Sequence, residues 1–385
     1  RNNMLKQELL LKNNNAQHIF DKRRIVFKNG NAFLRVHSQT FTGNELKKII
    51  DFLNYMISKY RNQKVPIEIE LGKFYFNDKL VYILLECICY YLITERRQKI
   101  SVRFAATHTI WSEGIRFSPL RLLDGNEKNL DSFIKKFRFD INKGHFRRVI
   151  ELSAKETKPE YLSALMNEFY CFLQNNDIEE SACRELSEVI AELVGNAIEH
   201  GKADCLVDLD ITNEYINQET NSCCYGLNVC VVNFSEKNFY ELLKEKIATS
   251  KTLPERYELI LLAKKNHERF YNEEYTENDF FTIASFQHKI SGSEKKVYTG
   301  GTGLTSLIKS LEEKSDGHWC YMLTRNRITF FKPEYMKYDE NKLIGFNKNQ
   351  EFINEIPDVK IFRTISTNLP GTAYNLNFAL RKEPG

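Results

Sequence analysis

The chain has 385 residues, with 55 Lys and Arg against 51 Asp and Glu, a formal net charge of +4. So small an excess excludes the strongly basic chains that bind nucleic acid without specificity. The length predicts two domains or three, since single cores rarely grow past about 250–300 residues.

Nine cysteines are scattered, at Cys87, Cys89, Cys171, Cys183, Cys205, Cys223, Cys224, Cys230 and Cys320. None forms a CxxC pair or a metal-type spacing with histidine, and most sit in apolar runs, where free Cys acts as a small hydrophobe. That suits a reducing, cytoplasmic compartment. The opening "RNNMLKQELLLKNNNAQ" is too polar for a signal peptide. The most apolar helical stretch, "KLVYILLECICYYLI", is shorter than the roughly 20 residues of a membrane span and contains Glu86. No membrane contact is expected.

In chain order, "IVFKNGNAFLRV" predicts two strands around Asn29-Gly30, a hairpin pair. A helix follows with Thr42 as its N-cap, then the strand "VPIEIELGKFYF", a helix opened by Asn77 or Asp78, and the strand "KISVRFAAT". Strands alternating with helices predict a small α/β domain over 20–115. Its order resembles the STAS domains of anti-sigma-factor antagonists, in topology only. Residues 116–154 read as a connector with one short helix. Lys135, Lys136, Arg138, Lys143, Arg147 and Arg148 gather there, either as a solvated face or as a site for an acidic partner or phosphate. From 155 to 385 two helices precede a series of strands, which predicts an α+β sandwich.

The stretch "VIAELVGNAIEHG", 189–201, has helical apolar spacing but holds Gly195 and Asn196, both poor in a helix interior. At about 100° per residue, Glu185, Glu188, Glu192, Asn196 and Glu199 share an arc of roughly 80°. A solvated amphipathic face is the plain interpretation. It leaves Gly195 and Asn196 unexplained. Mg²⁺ takes one or two protein oxygens together with phosphate oxygens, and an Asn amide is such a ligand. Glu192, one turn earlier, would orient or deprotonate a water. Gly195 would let another backbone or a nucleotide approach.

Downstream, "GGTGLTSLIKSL" places Gly300, Gly301, Thr302 and Gly303 before Leu304 and a helical pattern. Bare amides feeding a helix N-terminus suit an anion, although a plain turn has the same composition. A Walker lysine is absent.

The two segments together, E-x-x-x-N-x-x-x-H-G and then G-x-G-L about 100 residues later, resemble the GHKL ATPase superfamily over about 155–380. The resemblance implies that Asn196 holds magnesium, Glu192 is the general base and His200 lies near the phosphates. It implies that Gly300, Gly301, Thr302, Gly303 and Leu304 wall the phosphates. "PGTAYNLNFAL" is similar to the family's Gly-Thr strand, so Thr372 would help hold adenine. One motif departs: "VCVVNFSEKN" has Asn233 where the family carries an adenine-binding Asp, and Ser235 where it carries the first Gly. An Asn oxygen still accepts from an amine, without the charge. Three lysines of the 250–299 segment, Lys289, Lys295 and Lys296, would lie in a lid, solvated or reaching phosphates.

Expected, then, is an ATP- and Mg²⁺-dependent switch with slow hydrolysis, in a bacterial regulatory or defence role. A protein partner would act through the N-terminal domain, and a homodimer stays open. A serine or histidine kinase of the anti-sigma type and a nucleotide-binding relic serving as an interaction module are the alternatives. The remaining histidines read as ordinary surface or core residues.

Overall fold

The computed structural model describes residues 5–14, 25–61, 63–72, 74–104, 113–124, 129–153, 160–217, 221–290, 303–315 and 320–381. After a short helix, α1 (Glu8–Asn13), the strands β1 (Val26–Lys28) and β2 (Asn31–Val36) form the expected hairpin. Asn29 and Gly30 have φ of 50° and 79°, the pair of left-handed residues that such a turn demands. Thr42 caps α2 (Gly43–Lys59): its hydroxyl accepts from the Asn44 amide, while Glu45 accepts from the Thr42 amide. Next come β3 (Ile67–Leu71), α3 (Lys79–Thr94) and β4 (Ile100–Phe104). The sheet runs β1-β2-β3-β4, with β2, β3 and β4 parallel.

The expected connector 116–154 is in part a piece of the second sheet. After α4 (Glu113–Phe117) and α5 (Leu130–Arg138), β5 (Phe139–Asn142) and β6 (His145–Ile150) make a hairpin, and β6 pairs with β7 (Cys205–Ile211). The second sheet therefore begins at Phe139, not at 155. Two helices, α6 (Tyr161–Gln174) and α7 (Glu180–Gly201), separate β6 from β7. Then follow β8 (Tyr215–Asn217), β9 (Ser222–Phe234), and the helices α8 (Glu241–Thr249), α9 (Arg256–His267) and α10 (Glu277–Ala284). The chain closes with α11 (Gly303–Lys314), β10 (Tyr321–Phe330) and β11 (Phe362–Arg381). Seven antiparallel strands result, in the order β10-β11-β9-β7-β6-β5 with β8 on β9. The architecture is α+β, as expected.

Strand alternation gives this sheet two buried faces. Val207, Leu209, Val229, Val231 and Leu376 point to the front, into a core shared with α6, α7 and α11. Leu206, Cys230, Val232, Phe234 and Ala373 point to the back, into the core of the N-terminal unit. Helix α3 is apolar on all sides because it touches the first sheet through β4 and the second through β9 and β11. Among the described residues no helix is long and apolar enough to cross a membrane.

Charge is buried in that rear junction. Lys79, at the start of α3, meets Asp208 at 2.7 Å and also Asp210, both on β7. Arg147 of β6, which the sequence placed among solvated basic residues, is only 1% exposed. It joins Asp208, its cross-strand neighbour, to Glu86 in the middle of α3. His145 contacts Asp140 through Nδ1 at 2.9 Å and Asp208 through Nε2 at 3.0 Å. A carboxylate on each ring nitrogen requires both to donate, so the imidazole is held as the cation. Burial opposes that charge, but Asp208 and the two hydrogen bonds prevail and hold the His145 pKa above its ordinary 6.5. Asp208 itself is held well below the carboxylate range: Arg147, Lys79 and His145 outweigh the burial that pushes it up.

A raised histidine pKa adds stability that is complete below 6.5 and is lost as pH rises through the folded value. Urea unfolding followed against pH should show stability declining above about 6.5, and His145→Gln should flatten that decline. An identical alkaline slope in the variant would contradict this role for His145.

Candidate functional site

A cavity on the front of the second sheet encloses about 900 Å³ of empty space, open mouth included. Helix α7 forms one wall with Glu192, Asn196 and His200, each a turn from the next. They share a face because four residues advance a helix by about 400°, a full turn and about 40° more. The floor is the carboxyl end of β9 beside β11, where Asn233 and Thr372 are direct cross-strand neighbours and both line the cavity. Leu304, in the first turn of α11, closes another side. Residues from four segments far apart in sequence thus share one space. Of the glycine loop, Gly300, Gly301 and Thr302 lie outside the described residues, as do Lys295 and Lys296, and Gly303 is the first residue of α11.

Glu185, two turns before Glu192, has a structural task. It accepts hydrogen bonds from Ser310 and, at 2.6 Å, from Lys314, both on α11. The glycine-led helix is thereby fastened to the helix that carries Glu192 and Asn196. Glu188 is exposed. Glu199 and Glu192 both act on Tyr161 of α6: burial first, then these carboxylates and Cys205, push its phenol up to about 12.

Gly195 does not serve nucleotide approach, as the sequence suggested. It is buried, and a Cβ added there would come 3.0 Å from a methyl carbon of Leu162. The glycine lets α6 pack closely on α7. The bare position at the end of the helix, Gly201, is the one that serves the cavity. A Cβ on Gly201 would lie 1.9 Å from Oδ1 of Asn233. The Asn233 amide nitrogen donates to the carbonyls of Ala203 and Asp204, at 3.3 and 3.2 Å. Its orientation is fixed by that pair, which leaves the oxygen against the Gly201 backbone. Gly371, at φ of 101°, is held as tightly: a Cβ there would sit 2.2 Å from the Asn233 carbonyl oxygen. Any side chain at 371 would push β11 away from β9, next to Thr372.

Sequence reading missed the opposite wall. Lys237, Asn238, Phe239 and Leu242 line it from the turn into α8, with Ser285 and Ile290 beyond the end of α10. Asn238 is 2% exposed; its nitrogen donates to Glu241 at 2.6 Å, and its Oδ1 has no partner among the described residues. Lys237 reaches Glu245 at 2.7 Å. Here the missing signal is specific: these residues follow the departure at Asn233 and Ser235, where the resemblance supplies no motif.

Among the described residues the Asn196 side chain makes no protein hydrogen bond, so its amide oxygen is available to a ligand in the cavity. No group of three or more His, Cys, Asp or Glu able to hold a metal occurs among the described residues. A cation here would need oxygens brought by the ligand itself, as magnesium does when it arrives with phosphates.

No family model, curated protein or solved structure matches this chain.

Gly201→Ala should drive Asn233 off its two carbonyls and leave a buried amide unpaired, costing about 1–3 kcal/mol. Gly43→Ala, where an added Cβ meets nothing within 4 Å, is the control and should stay within about 0.5 kcal/mol. Urea unfolding compares them; equal midpoints would contradict the packing of Asn233 on Gly201.

Proposed function

We propose that the front cavity binds ATP with Mg²⁺ and that the chain is a nucleotide-driven switch of GHKL type with slow hydrolysis. One observation carries the reading. Glu192, Asn196, His200, Asn233, Leu304 and Thr372, paired with that family's motifs from sequence alone, line a single cavity. An accidental likeness gives no reason for segments about 30 to 180 residues apart by numbering to converge.

Each part has a task in this reading. Asn196 offers a neutral oxygen to the cation, which when bound offsets charge on the phosphates. Glu192, one turn away on the same face, aligns a water for attack. The N-terminus of α11 directs amides and a positive dipole end toward the phosphates. Thr372 and Asn233 line the end that takes the base, and the apolar wall of Phe239 and Leu242 covers it. Response to the nucleotide would pass to a partner through the N-terminal unit, which shares a core with the back of the same sheet.

The Asn233 amide favours a second reading in one respect. A neutral acceptor holds a base amine more weakly than a carboxylate does, so a pocket that binds without turnover fits the same geometry.

Calorimetric titration with ATP and Mg²⁺ tests the main reading. Asn196→Ala should weaken Mg²⁺-dependent binding tenfold or more, about 1.4 kcal/mol. Glu192→Ala should retain binding and slow phosphate release by about 10²–10⁴. Unchanged affinity in the Asn196 variant would count against the assignment.

A further inference from the structure

We infer that the corner where the chain leaving α10 meets the first turn of α11 takes the terminal phosphates of the ligand, through His288, Lys289 and Lys342. Arg256 is the positioning residue. This rests on the nucleotide reading above and adds the residues that sense the length of the phosphate chain.

The corner borders the cavity. His288 Nδ1 lies 3.2 Å from Oγ1 of Thr305. Leu304, next to Thr305, and Ile290, two residues past His288, both line the cavity wall. Arg256 of α9 staples the corner together. Its Nε donates to the His288 carbonyl at 2.5 Å, and its terminal nitrogen donates to the carbonyls of Asn341 and Lys342 at 3.0 and 2.9 Å. One half-buried guanidinium therefore fixes two cation-bearing turns against each other. Lys289 and Lys342 both occupy the left-handed backbone region, at φ of 60° and 57°. Side chains rarely adopt that region outside tight turns.

Like charges held this close repel one another. His288 faces Lys342, Arg256, Lys289 and Lys309, and burial together with these cations lowers its pKa below 6.5. Asp339 acts on Arg256 and accepts from the Leu343 amide at 2.8 Å. Tyr338 donates to the Phe286 carbonyl at 2.7 Å and also meets Thr305. Arg256 holds together the two turns that carry these charges. An anion entering from the cavity relieves the repulsion and favours the imidazolium form of His288, so its binding should draw in a proton.

The test is calorimetry of the full chain with ATP, ADP and AMP, in Mg²⁺ at pH 7, in two buffers of different ionisation enthalpy. Wild type should rank ATP above ADP above AMP and take up a fraction of a proton with ATP. The double variant Lys289→Gln, Lys342→Gln should lose about tenfold for ATP and keep its AMP affinity, which also reports that the cavity is intact. His288→Asn should abolish the proton uptake. Equal losses for ATP and AMP, or unchanged ATP affinity in the double variant, would overturn the inference while leaving the nucleotide reading standing. So would tripolyphosphate that binds without competing with ATP. Absence of any ATP binding by wild type would overturn both.

Discussion

Asp208 and Asp210 lie on the rear of β7, almost wholly shielded from water. Ionised carboxylates in such a place are tolerable only if cations are brought to them with good geometry. Lys79 and Arg147 are those cations, and they arrive from two different parts of the chain. The network constrains more than it stabilises. A helix-for-helix slip of α3 along the sheet would separate Lys79 from Asp208 and Asp210, and Glu86 from Arg147, at once. The N-terminal unit is thus bound to the second sheet in one register, and the two form a continuous rear core.

With the rear occupied, ligand space is left on the front. There the helix carrying Glu192 and Asn196 and the helix led by Gly303 pack together in one apolar core. Glu185, through Ser310 and Lys314, adds a polar link between them. The floor is set by exclusions: Gly201 and Gly371 are bare because Asn233 occupies the space on both sides. Those contacts give the end of β9 a defined shape.

Local features were legible in the sequence because their causes are local. Asn29-Gly30 makes its hairpin, Thr42 with Glu45 caps α2, and the apolar rhythm of 180–201 yields one unbroken helix. The cavity residues Glu192, Asn196, His200, Asn233, Leu304 and Thr372 were legible as spaced motifs. The rear network was not. "DCLVDLDIT" alternates as a half-solvated strand would, and Arg147 sits in a basic run that suggests a linker. Only partners some 60 to 130 residues away, by the separations of Arg147 from Asp208 and Lys79 from Asp210, turn those charges inward. Gly195 misled for the same reason, since Leu162 of another helix determines it.

The central claim is that ATP with Mg²⁺ sits between α7 and α11 on the front of the second sheet. Hydrogen–deuterium exchange of the full chain, with and without the nucleotide, tests it most directly. The account predicts slower amide exchange in 189–201, 231–238 and 303–311, with little change in β5. Protection absent from all three segments, or confined to the N-terminal unit, would contradict it.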